Sequence, residues 1–314
     1  QTVARIVLVI PMKSITVFTP TFNREKTLIR LYDSLCSQSS PDFKWIIVDD
    51  GSSDNTSSQV EKWIEENRIE IQYYYQKNKG KLAAQILALD YIDTELFTCI
   101  DSDDYLPADG IEKILKFWKA SKKSNSAGII GLDAYEDGSV AGENLPDIKE
   151  STYSELVDNY KIKGDKKYIF DTEIYKKYLP YPYFENEIFH EVSWIFTLID
   201  QDYKFLLSNE IYCIIEYQQD GLSNGLYKRY KESPKSFIEY RKMKMKYGIN
   251  KKIVLKNSVH YISSCLFAKK WNFFKGSPNK LYTLIAIPFG IALNVYINHK
   301  VKQNTHRIKQ GKLI

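Results

Sequence analysis

Three short stretches carry residues whose types and spacing could do chemistry. Asp49-Asp50-Gly51-Ser52 and Asp101-Ser102-Asp103-Asp104 each follow an apolar run directly, KWIIV and LFTCI, and Phe18 to Arg24 (FTPTFNR) ends another. A lone DDGS is ordinarily a turn whose Asp caps the next helix. DSDD says more: carboxylates set side by side repel one another unless a cation lies between them. Asp101 and Asp103 alternate, and extended backbone would point them the same way. Hard carboxylate oxygens favour Mg²⁺ or Mn²⁺, ions that also bridge diphosphate oxygens and neutralise charge on a leaving nucleotide. The bland reading of DSDD is a solvated acidic turn ahead of the helix opened by Pro107.

Carboxylates can converge only if the elements before them lie side by side. Up to about residue 135 the pattern alternates: strands SITVFTP, KWIIVDD, IEIQYYYQ, LFTCIDSDD and AGIIGLDAY are separated by the helical stretches REKTLIRLYDSLCSQ, TSSQVEKWIEEN, KGKLAAQILALDYI and PADGIEKILKFWKASKK. Such alternation predicts an α/β fold, a Rossmann-like, mostly parallel sheet with helices on both faces. Ligands of open parallel sheets bind at the carboxyl ends of the strands, where all three stretches fall. Residues 136–165 are polar and read as a mobile loop. Residues 166–225 hold YIFDTEIY, EVSWIFTLID and IYCIIEYQ and read as an acceptor half. Residues 226–314 read as a basic helical C-terminal extension. The organisation expected is thus 12–225 for the catalytic domain, divided at 135/136. Residues 1–11, ahead of Met12, read as a leftover of cloning.

The 314 residues are 44% hydrophobic, and the four cysteines form no CxxC pair, which argues against a zinc site or a disulfide framework. Twelve Lys/Arg and no Asp or Glu lie between Lys251 and Ile314, so the first 250 residues hold the remaining 32 basic against all 39 acidic residues. The two regions face different partners. Residues 281–297, LYTLIAIPFGIALNVYI, are apolar for one helix length, short of the ~20 residues that typically span a bilayer. With lysines on both sides this predicts contact with an anionic membrane surface, or burial against the catalytic domain or another subunit of a homo-oligomer. Nothing points to nucleic acid.

The stretches TPTFNR (19–24), FKWIIVDDGSSDNT (43–56), NKGKLAA (78–84) and FTCIDSDDYLPADGI (97–111), in this order and spacing, resemble the family 2 inverting glycosyltransferases of the GT-A fold, within the nucleotide-diphospho-sugar transferases. The resemblance covers roughly residues 14–135. It implies that Pro20 and Phe22 line the base pocket, that Asp50 hydrogen-bonds the base, and that Asp101 and Ser102 meet the nucleotide sugar. Asp103 would be the principal Mn²⁺ or Mg²⁺ ligand, with Asp101 and Asp104 in support. Gly80 would allow close approach to the donor and Lys81 would meet phosphate. Gln85 stands where many members carry Arg. Glu191 is implied as the base that takes the acceptor hydroxyl proton, with Glu185 and Glu187 as competitors. His190 and Trp194 would lie by the acceptor, and Asp220 and Ser223 in a turn closing over the donor.

The function expected is transfer of one sugar from a UDP-sugar to a glycan acceptor, lipid-linked or on a protein, in the cytoplasm or on the inner face of the membrane. A nucleotidyltransferase would carry a Gly-rich basic loop after the first strand, and FTPTFNREK lacks it. A non-catalytic binder would have no use for an acidic site. The QxxRW motif and membrane helices of processive synthases are absent, hence single-sugar addition.

Overall fold

The computed structural model describes residues 13–187, 189–216 and 225–309, with side chains up to residue 303. The expected leftover at 1–11 and the residues Asp220 and Ser223 lie outside the described residues. The first half alternates as expected: β1 (Ile15–Thr21), α1 (Leu28–Cys36), β2 (Phe43–Asp49), α2 (Thr56–Glu66), β3 (Ile71–Tyr75), α3 (Lys81–Leu89), β4 (Leu96–Cys99), α4 (Gly110–Ser121) and β5 (Ser126–Ala134). Then come β6 (Glu150–Ser151), a π-helical turn (Glu155–Tyr160), β7 (Lys166–Asp171), α5 (Thr172–Lys176), α6 (Ser193–Ile199) and β8 (Lys204–Ile214). Five helices follow: α7 (Leu226–Glu232), α8 (Pro234–Tyr247), α9 (Lys251–Phe267), α10 (Phe273–Gly276) and α11 (Lys280–Lys309).

The strands form one sheet in the order β3-β2-β1-β4-β7-β5-β8-β6. β3, β2, β1 and β4 run parallel, as do β5 and β8, whereas β7 is antiparallel to both its neighbours and β6 to β8. Every residue of β2 is buried, as expected of a parallel strand covered on both faces. Alternate side chains feed two cores. Phe18, Ile46 and Val48 pack with α3, α5 and α6 on one face. Val17, Trp45 and Ile47 pack with α1, α2 and α4 on the other. Leu28, Leu31 and Leu35 lie on the buried side of α1, as their spacing predicts. A third, smaller core joins α8, α9 and α11.

Two readings are corrected. The region 136–165 is not a structureless loop: it carries β6 and the π-helical turn, and Glu143 and Lys163 exchange hydrogen bonds of 3.1 Å across it. DSDD is not the end of a strand. β4 stops at Cys99, and the Asp104 amide donates to the Asp101 carbonyl at 3.0 Å, so the carboxylates are gathered by a turn instead of by alternation.

Candidate active site

Parallel pairing aligns Thr21 with Asp49 and Phe18 with Cys99, so the loops after β1, β2 and β4 leave the same edge of the sheet. The first two are laced together: the Asn23 amide donates to Ser52 Oγ at 2.8 Å, the Ser53 amide to Asn23 Oδ1 at 2.8 Å, and the Asn55 amide to Glu25 Oε2 at 3.0 Å. Gly51 adopts φ +90°, and a Cβ there would sit 2.9 Å from the Asn78 amide nitrogen, so the turn needs glycine. Phe22 is exposed and Pro20 half-buried beside this edge.

Asp50 is occupied by its own protein. Oδ1 accepts from Gln76 Nε2 and the Lys79 amide, both at 2.7 Å, and Oδ2 from the Gly80 amide at 2.8 Å. It therefore clamps the 76–80 loop, and the base contact implied for it is left with one lone pair. Asp49, which drew no role from the sequence, accepts from the Ser52 amide and from Tyr73 Oη, both at 2.7 Å. Gly80, at φ +90°, opens α3 and delivers Lys81, whose ammonium meets Asp101 Oδ1 at 2.5 Å. Loss of solvent is the largest influence and works against both charges, yet the pairing, its hydrogen bond and neighbouring charges together outweigh it: Asp101 is held below its ordinary range and Lys81 above its own.

In the acidic turn Ser102 is buried, while Asp101, Asp103 and Asp104 are half-buried. Burial, then the Asp101 charge, raises the Asp103 carboxyl. Burial pushes Asp104 up to about 7, against the pull of Lys167, with Asp101, Asp103 and Asp133 adding repulsion. Arg30 buttresses the turn: its Nη2 donates to the Asp103 carbonyl at 2.6 Å and to Glu216 Oε2 at 2.5 Å. Lys167 and Asp133, buried and 3.7 Å apart, stand behind it. Lys167 is kept charged by Asp133 despite its burial. Among the described residues no three His, Cys, Asp or Glu side chains gather into a metal cluster. Asp101 and Asp103 still fit a Mg²⁺ or Mn²⁺ that draws the rest of its shell from a diphosphate: hard oxygens only, and a mutual repulsion a cation would relieve.

The side expected to meet the acceptor is built differently. Glu191 is half-buried, its Oε1 accepting from Ser193 Oγ at 2.9 Å at the start of α6. Its charge reaches Arg229, Tyr153, Tyr181 and Tyr240. Of its competitors, Glu187 is committed elsewhere: its two oxygens accept from the Lys235 and Ser236 amides at 2.8 and 2.7 Å, at the first turn of α8. Glu185 is exposed. His190 Nε2 accepts from the Phe184 amide at 3.2 Å and its ring stacks with Tyr183, so this imidazole holds the loop. Trp194 packs against Tyr181, ring centres 5.5 Å apart.

Sequence reasoning missed a buried polar chain linking the two sides. Gln85 Nε2 donates to Tyr175 Oη at 2.7 Å, the Tyr175 and Tyr181 hydroxyls share a hydrogen bond of 3.0 Å, and Tyr181 Oη donates to the Val192 carbonyl at 3.2 Å. Gln85 thus faces the core. Its only sequence signal is a polar residue on the apolar side of a helix.

A doubly wound sheet that gathers an acidic turn and a lysine at its strand ends places them where α/β proteins of this class bind their ligands. The sequence pattern of Glycosyl transferase family 2 matches residues 16–177, and the chain belongs to that family. Among curated relatives, Glycosyltransferase GlyA of Streptococcus pneumoniae is 33% identical over 102 residues, 32% of this chain and 14% of that protein. Poly(ribitol-phosphate) beta-N-acetylglucosaminyltransferase TarS of Staphylococcus aureus is 30% identical over 108 residues, 34% of this chain and 19% of that protein. The chain therefore aligns with less than a fifth of the length of either. Similar solved structures include S. aureus TarS 1-349 in complex with UDP-GlcNAc (TM-score 0.59, 17% identity, 93% of this chain and 92% of that one). Mannosyltransferase PcManGT from Pyrobaculum calidifontis in complex with GDP-Man and Mn²⁺ is another (TM-score 0.54, 14% identity, 94% and 84%). The fold is that of these transferases, GT-A with a C-terminal helical region.

Proposed function

We propose that the protein is a metal-dependent inverting glycosyltransferase that moves a single sugar from a UDP-sugar to a hydroxyl of a glycan acceptor, in building a bacterial surface polysaccharide or a protein-linked glycan. The observation that carries this is the convergence of the acidic turn, Lys81 and the laced 22–25 and 51–55 loops on one sheet edge. The family match favours it over nucleotidyl transfer or mere binding, and the TarS complex with UDP-GlcNAc supports uridine as the nucleotide. Acceptor glycans, lipid-linked or on protein, would be met in the cytoplasm or on the inner face of the membrane.

In this reading Phe22 and Pro20 border the base, and Asp50 adds its free lone pair to the base while fixing the Gly80 loop. Lys81 turns from Asp101 toward diphosphate oxygen. Asp103, with Asp101 and Asp104, would hold Mn²⁺ or Mg²⁺, whose contribution is to neutralise charge gathering on the leaving diphosphate. Glu191 takes the acceptor hydroxyl proton while that oxygen bonds to the anomeric carbon from the face opposite the donor oxygen. The bond to the diphosphate breaks and its electron pair leaves with UDP, so configuration inverts.

A panel of nucleotide sugars with Mn²⁺, scored by nucleotide release with and without chelator, tests the proposal. Release of UDP that needs the cation is expected. Release of no nucleotide from any donor, or release indifferent to chelator, would remove the transfer or the metal reading respectively.

A further inference from the structure

The small core of α8, α9 and α11 uses only one side of α11. Thr283, Ala286, Gly290 and Ile297 are buried, Ala286 and Gly290 against α9. A Cβ on Gly290 would lie 2.6 Å from Ile262 Cβ, Asn294 Nδ2 donates to the Ser263 carbonyl at 3.2 Å, and Thr283 and Ser277 hydroxyls meet at 2.5 Å. The opposite side is bare. Leu281, Leu284, Ile285, Phe289, Ile291 and Val295 are 47–66% exposed, and every exposed residue from Leu281 to Val295 is apolar. At 1.5 Å per residue this stripe runs for about 20 Å. A helix packed on a water-soluble domain ordinarily turns a polar face outward. This one does the reverse.

Charge says what covers it. Lys280 at one end of the stripe and Lys302 at the other are exposed, Lys269, Lys270 and Lys275 precede it around a 74% exposed Trp271, and the whole stretch from Lys251 holds no carboxylate. An apolar stripe ringed by cations alone matches an anionic lipid surface, acyl chains beneath and phosphates at the rim. A second copy would bring the same cations against its own. Composition alone would also allow α11 to cross a bilayer, over Lys280–Gln303. Its close, hydrogen-bonded seam with α9 argues otherwise, because a spanning helix would have to leave that seam.

We infer that α11 lies flat in the headgroup region of an anionic membrane, its outward face buried in lipid and its inward face still on α9. This gives a surface to the peripheral placement proposed above and rests on it. The acceptor side is joined to that surface by α7. Tyr227 packs edge-on against Tyr296, ring centres 6.0 Å apart, and two residues on, Arg229 lies 4.7 Å over the Phe189 ring and feels Glu191. Docking would bring the proposed base near the membrane plane, which suits an acceptor carried on lipid.

Flotation of the full chain with vesicles of phosphatidylcholine alone, or mixed with phosphatidylglycerol, tests the inference. Binding to the mixed vesicles, reversed by salt and by alkaline carbonate, is the expected result. The variant Leu284→Glu/Phe289→Glu, altered only at exposed positions, should partition at least about tenfold less while remaining folded by circular dichroism. Failure of the native chain to float, undiminished binding of the variant, or resistance to carbonate (a spanning helix) would each overturn it, as would a dimer that the variant breaks in the absence of lipid binding. UDP release in solution is read on the same samples. Flotation without UDP release would sink the proposed transfer and leave the lipid surface standing.

Discussion

The proposed donor edge and the proposed acceptor side of this protein are held together in different ways. At the donor edge, side chains are fixed by backbone amides from within some 30 residues of sequence: Asp50 by the 79–80 amides, Asn23 by Ser53, Glu25 by Asn55. Around Glu191 most of the restraints come from farther along the chain: Glu187 from the start of α8, Phe189 from Ser233 and Arg229, and Val192, by way of the nearby Tyr181 and Tyr175, from Gln85. In the proposed reading a diphosphate is common to the donors, so the loops that meet it can be held locally, with Arg30 a long-range brace of the acidic turn. An acceptor surface assembled from distant elements can change one contact at a time.

The sharpest test of that contrast sets Asp103→Asn against Glu191→Gln. Asp103→Asn should abolish transfer and weaken UDP binding measured by calorimetry with Mn²⁺, since the diphosphate charge is then poorly neutralised. Glu191→Gln should slow transfer about 10²–10⁴-fold with UDP affinity kept, because the amide cannot take the proton. If the Glu191 variant transfers normally and Glu185→Gln does not, the base has been misassigned.

A smaller effect separates the two kinds of scaffolding. Asp50→Asn removes charge from three hydrogen bonds and should raise KM for the donor, whereas Glu187→Gln should lower kcat and leave donor KM unchanged. Hydrogen bonds to a charged group are worth about 1.5–3 kcal/mol each, so both variants should also melt earlier. Equal effects on donor KM would mean the two sides are not independently held. Smallest is Tyr181→Phe. It removes the donor to the Val192 carbonyl, at a cost of about 1 kcal/mol of stability by thermal melting, and should slow transfer less than Glu187→Gln. Donor-binding loss in this variant instead would assign the tyrosine chain to the donor edge.

What could be read from the sequence follows the same division. β1, β2, β4, β5 and the three acidic or turn-rich stretches were legible because strands buried on both faces leave apolar runs that end in turns, and the half-buried edge strand β3 showed in its run of tyrosines. The acidic turn was legible in composition though not in shape: alternation was expected, and the Asp104-to-Asp101 hydrogen bond replaced it. The antiparallel insertion of β7 between β4 and β5 left no mark, since YIFD reads alike in either direction. Nor did the double use of Asp50, because hydrogen bonds to amides leave no pattern in side-chain types. Only the family resemblance set Glu191 above Glu185 and Glu187 in the sequence, and the commitment of Glu187 to α8 left no pattern there.

That resting point has a practical bearing on recombination. The first turn of α8 takes its cap from a side chain some 48 residues earlier, and the loop bearing that side chain takes its position from the helix. The segment around 185–191 and the helical region from residue 226 are thus one inherited unit, separated in sequence by α6 and β8. A chimaera that exchanged the helices alone between relatives would pair a foreign helix start with a native carboxylate, and its acceptor side would be spoiled even though every strand of the sheet remained in place.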